Sequence, residues 1–188
     1  MDDEDPGIDR VKWIGEERLR AVTEWMAERL RENRKFKALI WCRFRAEAER
    51  LHAALLDPAA PFETKSLLLI GGQGDAEREE ALALLRRTTS PDESCALVGT
   101  IRTGGMGLDM SAADALAHGS HDYSRLRRTQ ADARIVHPAR GRPCYYYDFV
   151  AEGPRGESTI DHVVLRALKH KRDLAALTAS EWLKELSH

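Results

Sequence analysis

Gly99-Thr100-Ile101-Arg102-Thr103-Gly104-Gly105-Met106-Gly107-Leu108-Asp109-Met110-Ser111-Ala112-Ala113-Asp114 is a glycine-rich loop set between two short apolar runs, Ala96–Val98 before it and Ala115–Ala117 after it. Gly104, Gly105 and Gly107 allow the backbone to turn with positive φ and to bring its N–H groups against an anionic ligand without obstruction by side chains. The spacing departs from the dinucleotide fingerprint, because Met110 stands where the third glycine belongs, and it lacks the Gly-Lys-Ser/Thr ending of a P-loop. A phosphate-facing loop in an alternating α/β chain is the expectation.

Working outward, further apolar runs at Ala38–Cys42, Leu67–Ile70 and Tyr145–Val150 alternate with segments of helical spacing. Leu19, Val22, Trp25, Met26 and Leu30 form one stripe, Ala48, Leu51, Ala54 and Leu55 a second, and Ala81, Leu82, Leu84 and Leu85 a third. Such alternation predicts parallel strands joined by right-handed crossovers, with helices flanking the sheet. Asp75 is placed to cap one helix, and Ser158 with Asp161 has the spacing of a capping box before Val163, Val164, Leu165 and Leu168. In such sheets ligands gather at the carboxyl ends of the strands, so the loops at Cys42-Arg43-Phe44, Gly71-Gly72 and 100–109 should share one edge.

The same segments, in order, resemble motifs of SNF2-type superfamily 2 helicases, phage-type members in particular. Lys37-Ala38-Leu39-Ile40-Trp41-Cys42-Arg43-Phe44 is similar to motif IV, the glycine-rich loop to motif V, and Gln130-Ala131-Asp132-Ala133-Arg134 to the opening of motif VI. Ile70-Gly71-Gly72-Gln73-Gly74-Asp75-Ala76-Glu77-Arg78 resembles the loop after motif IV. Tyr145–Gly153 and Ser158-Thr159-Ile160-Asp161 resemble the strand and helix start that close the lobe. The resemblance implies a doubly wound, mostly parallel sheet flanked by helices, the second RecA-like helicase lobe, over 13–188 behind an acidic tail at 1–12. It implies nucleic-acid contacts at Arg43, Gly72, Thr100 and Arg102, and ATP nearby at Gly105, Gly107 and Asp109. Arg134 matches the first motif VI arginine that delivers charge to the γ-phosphate, and His137 stands where phage-type relatives carry the finger arginine. A neutral imidazole does not replace a permanently charged, bidentate guanidinium, which puts hydrolytic competence in question.

The chain has no P-loop and no Asp-Glu pair to hold Mg²⁺, so ATP with Mg²⁺ is expected to be held mainly by a separate first lobe, and the isolated chain is expected to be inactive. The expected partners are DNA, in its duplex form, and that P-loop-bearing lobe. The alternative is a non-catalytic module that keeps the lobe fold and uses the arginines between Arg125 and Arg142 to bind nucleic acid or protein. A third possibility, a Rossmann-type small-molecule enzyme, would need a glycine near Met110.

Composition bounds these readings. The chain has 188 residues, of which 43% are hydrophobic and 32% charged, which suits one ordinary domain with a core. A net charge of −2 gives no global attraction to nucleic acid, so binding has to rest on local groups. No apolar stretch approaches the roughly 18 residues of a membrane span and the acidic start is unlike a signal peptide, which leads to an expectation of no membrane partner and a cytoplasmic setting. Cys42, Cys95 and Cys144, widely spaced in apolar runs, read as reduced buried thiols. His118 and His121 could pair with Asp114 or Asp122 around a metal, but no metal site is expected.

Overall fold

The structure is a computed structural model that describes residues 16–60, 62–87, 94–104, 108–137 and 141–170. Its elements run α1 (Glu17–Glu32), β1 (Lys37–Cys42), α2 (Arg45–Leu55), β2 (Lys65–Leu69), α3 (Asp75–Arg86), β3 (Cys95–Thr100), α4 (Ile101–Gly104), β4 (Ala115–His118), α5 (Arg125–Ala133), β5 (Tyr145–Asp148) and α6 (Ile160–Lys169). The strands form one sheet in the order β2-β3-β1-β4-β5, and every pairing is parallel.

β1 and β3 are central and buried along their whole length, which is why both read as unbroken apolar runs rather than alternating ones. Each face nevertheless has its own core. Ala38, Ile40 and Cys42 pack with the stripes of α1 and α2 on one side. Leu39 and Trp41 pack with Ala81, Leu82 and Leu85 of α3 and with Ala131 and Ile135 on the other. Lys37 starts β1 yet is only 7% exposed, because its ammonium donates to the carbonyls of Leu85 at 2.8 Å and Arg87 at 2.6 Å, satisfying the end of α3.

The sheet closes most tightly at Gly99. A Cβ there would lie 2.6 Å from the Leu69 carbonyl oxygen and 2.8 Å from the Trp41 ring, and a backbone oxygen fixed in the ladder cannot step aside. Gly99→Ala is therefore expected to cost about 1–3 kcal/mol as an overpacked core position. A thermal melt would read this, and an unchanged midpoint would show that the ladder yields more readily than this packing implies.

Two local expectations are corrected. Asp75 is the first helical residue of α3, while Gly74 is its N-cap, with the Glu77 carboxylate accepting from the Gly74 amide at 3.3 Å. The cap of α6 is Thr159 rather than Ser158, its amide donating to His162 Nδ1 at 3.1 Å. Asp161 is pulled elsewhere: it pairs with Arg18 of α1 and accepts from the Ala151 amide at 2.9 Å, tying α6 to α1. The acidic tail at 1–12, Gly105, Gly107 and Arg140 lie outside the described residues.

Candidate functional site

Because all strands are parallel, the residues following Cys42, Leu69, Thr100, His118 and Asp148 emerge at one edge. β1 leads into α2 on one face of the sheet, whereas the helices after β2 and β4 pack on the other. Chains that leave β1 and its neighbours in opposite directions open a crevice beside β1, the place where ligands collect in such sheets.

Arg43 stands at that crevice. Its amide donates to Ser120 Oγ at 2.6 Å, and Ser120 in turn donates to the carboxylate of Glu47. Its guanidinium carbon lies 3.6 Å from the centroid of the Tyr123 ring and 5.1 Å from that of Phe44, whose side chain is 43% exposed. Gly72 adopts φ +85°, a left-handed turn that glycine accommodates without strain. Beside it Arg45, which sequence reasoning passed over, donates to the Gly71 carbonyl at 3.3 Å and pairs with Glu49 at 2.8 Å. Arg102 is exposed on α4. Thr100 is placed differently: it is buried, and its hydroxyl bonds that of Thr103 at 3.1 Å, while Thr103 Oγ1 reaches the Leu69 carbonyl at 2.9 Å. These hydroxyls stitch β3 to β2.

The end of the glycine-rich loop meets the arginine segment directly. The Met110 amide donates to the Arg134 carbonyl at 3.0 Å, and Arg134 caps the C-terminal end of α5. Asp109 accepts from the Ser111 amide at 3.0 Å, and Arg86 donates to the Asp109 carbonyl at 3.3 Å. The bonds from the Ser111 amide and hydroxyl, followed by the electrostatic influence of His137 and Arg86, hold the Asp109 carboxyl below the usual carboxylate range. Asp109, Arg134 and His137 therefore share one neighbourhood, by the end of α3 and the start of β1 rather than at the carboxyl edge expected for the loop through 109.

Beneath α5 lies a polar cluster that only its two histidines advertised. His118, fully buried, bonds Asp132 through Nε2 at 2.8 Å. Arg128, with a side chain 11% exposed, bonds Asp132 at 3.0 Å and Asp148 at 2.8 Å, and its Nη1 lies 3.4 Å from His121 Nδ1. His121 Nε2 reaches the Phe149 carbonyl at 3.1 Å. Burial pushes His118 below the ordinary histidine range and His121 down to about 4, despite the carboxylates alongside. Burial would raise Asp132, but His118 and Arg128 overcome it and hold the carboxyl low. The suggested metal partners are occupied elsewhere: Asp114 takes the Lys37 amide at 2.8 Å and pairs with Arg142, and Asp122 takes the Ser124 amide at 2.7 Å and Arg127 at 3.3 Å. Among the described residues no group of three His, Cys, Asp or Glu is arranged to hold a metal ion.

Among the described residues, three of the arginines from 125 to 142 are engaged in separate places. Arg128 is buried in the cluster, Arg127 pairs with Asp122, and Arg142 joins Asp114, which precedes β4 and so lies at the opposite edge of the sheet. Among the described residues no helix is long and apolar enough to cross a membrane.

No protein-family model matches the chain. It is similar to the "DNA repair and recombination protein RAD54-like" of Drosophila ananassae, 32% identical over 87 residues that make up 46% of this chain and 10% of that protein. The protein of the same description from Drosophila persimilis is 30% identical over 91 residues, 48% of this chain and 11% of that one. The matched stretch thus spans about a tenth of the length of these curated relatives. Among solved structures, the C-terminal part of the Fun30 ATPase domain superposes on 86% of this chain and 46% of its own, with a TM-score of 0.62 at 14% identity. The all-parallel five-stranded sheet flanked by helices and that superposition establish an α/β fold of RecA type, and the RAD54-like matches support the likeness to a SNF2 C-terminal lobe.

Proposed function

We propose that this chain is the C-terminal RecA-like lobe of a SNF2-type DNA-dependent ATPase, which closes on a separate P-loop lobe around ATP and tracks duplex DNA. The observation that supports this reading is the meeting of the end of the glycine-rich loop with Arg134, on the same sheet whose carboxyl edge carries Arg43 and Gly72. Nucleotide-facing and nucleic-acid-facing groups then lie on one rigid scaffold. Arg43 and Arg102 supply charge to phosphates and the turn at Gly72 supplies backbone amides, which grip a strand without reading its sequence. Arg134 supplies charge to the γ-phosphate, while Gly105, Gly107 and Asp109 lie near the nucleotide. ATP and Mg²⁺ are held mainly by the first lobe, and the isolated chain does not turn over. The test is DNA-stimulated ATP hydrolysis by this chain combined with the P-loop polypeptide encoded beside it, with this chain alone as control. Turnover in the combination only supports the reading, and DNA binding without turnover overturns it.

Replacing Arg102 with alanine is expected to weaken duplex binding uniformly across sequences and to lower the salt slope by about one. Fluorescence anisotropy over a salt series measures both, and an unchanged slope would remove Arg102 from the interface.

A non-catalytic binding module is the second reading, favoured by His137 at the finger position. The separate pairings of Arg127, Arg128 and Arg142 weigh against that reading.

A further inference from the structure

Tyr123 is the least expected participant at the strand edge. It carries no charge and belongs to none of the motif-like segments, yet its ring centroid lies 3.6 Å from the Arg43 guanidinium carbon. The ring is fixed from behind and from both ends. Behind it are Val163, Val164 and Ala167, the packed face of α6. On one side the Asp122 carboxylate accepts from the Ser124 amide at 2.7 Å, and on the other Ser124 caps α5, its hydroxyl accepting from the Arg127 amide at 3.5 Å. The backbone of Arg43 is held separately by Ser120. An arginine side chain that is free in solution loses rotamer freedom when it grips a phosphate, and that loss subtracts from affinity. Stacked on a fixed aromatic face, the guanidinium has lost much of that freedom beforehand, while its N–H groups at the edge of the plane stay available to an anion.

We infer that Tyr123 is a positioning residue for Arg43: the ring, buttressed by α6, holds the guanidinium at the mouth of the β1 crevice in the orientation that receives a backbone phosphate. This rests on the proposed DNA-tracking role of the edge. It adds that α6, at the far end of the described chain, sets the strength of the grip at β1.

The test is a double-mutant cycle on the full chain. Duplex affinity is read by anisotropy at fixed salt for wild type, Tyr123→Leu, Tyr123→Phe, Arg43→Ala and the Tyr123→Leu/Arg43→Ala double variant. Tyr123→Leu is expected to weaken binding by about three- to fivefold, the size of an exposed cation–π contact. Tyr123→Phe should restore it, and in the Arg43→Ala background the leucine should cost nothing further. An equal loss in both backgrounds overturns the inference, since the ring would then act independently of Arg43. Arg43→Lys tests the same contact without touching the α6 face. The flexible ammonium cannot stack flat, so affinity should fall nearly as far as in Tyr123→Leu, and wild-type affinity for Arg43→Lys overturns the inference. A readout independent of DNA is the NMR order parameter of the Arg43 Nε–H bond. It should be high in wild type and drop in Tyr123→Leu, whereas equal mobility in both overturns the inference. Failure of every form to bind duplex while that order parameter behaves as expected would defeat the DNA reading and leave the positioning of Arg43 supported.

Discussion

Arg134→Ala is expected to lower the turnover of the two-lobe assembly by on the order of 10³-fold, the scale of an arginine that stabilises phosphoryl transfer, while duplex affinity stays within a factor of two of wild type. The separation follows from geometry. Arg134 ends α5 and its carbonyl takes the Met110 amide, so the residue belongs to the neighbourhood of Asp109 and His137 rather than to that of Arg43 and Gly72. Substituting the side chain leaves that backbone bond in place, so the loop should keep its position. The measurement is steady-state ATP hydrolysis with saturating DNA, accompanied by anisotropy. Undiminished turnover would remove Arg134 from the motif VI role, and a parallel loss of DNA affinity would place it on the nucleic acid instead.

Acid is expected to destabilise the fold well above the range where carboxylates titrate. His121 sits at about 4 in the folded chain, and burial also lowers His118 and His52, whereas unfolded histidines titrate near 6.5. Below that value the unfolded chain binds more protons than the native one, so stability is complete above about pH 6.5 and drains away as the pH falls toward each folded value. For His121 alone the loss by pH 4 is about 3 kcal/mol. Below that range Asp132, whose carboxyl is held low, loses its stabilising charge as it protonates. The groups around His121 are Asp148, Asp161, Arg128 and His118, and the two carboxylates moderate the shift without reversing it. Glu47 works in the opposite direction, since burial raises its carboxyl and the native state keeps that proton longer as the pH rises. Three histidines against one glutamate leave a net loss. Urea midpoints at pH 7 and pH 5 should differ clearly for wild type and less for His121→Gln; identical differences would mean that the imidazole is solvated in solution.

The strands were legible because a parallel sheet buried on both faces spells its central members as apolar runs, and β1 and β3 do so without a break. α4 was not, since Ile101–Gly104 is a single turn with no room for a period. The carboxyl edge followed from the order of elements, which is why the residues after Cys42 and Leu69 were placed together from sequence, whereas Asp109 lies by the end of α3, near the start of β1. Side-chain direction did not follow. Thr100 looked like a phosphate-binding hydroxyl, but its position beside Thr103 turns it inward, a fact of tertiary geometry that no local pattern encodes. His118 and Asp132 are separated by 14 residues and meet only because α5 folds back over β4. The stack of Arg43 on Tyr123 joins chain segments with no shared motif and was invisible until the sheet brought them to one corner.

The bond from the Met110 amide to the Arg134 carbonyl has a thermodynamic corollary. It makes the exit of the glycine-rich loop and the end of α5 a single unit, so their order parameters cannot be set independently. If nucleotide orders the arginine side of that unit, it also restricts the loop that leads toward the nucleic acid, and nucleic acid bound to the loop returns the same free energy to nucleotide binding. Linkage between two ligands is reciprocal, so the nucleotide's effect on DNA affinity and the DNA's effect on nucleotide affinity must be equal factors. On the proposed reading, that one backbone hydrogen bond joins the arginine to the loop through which such an exchange would run.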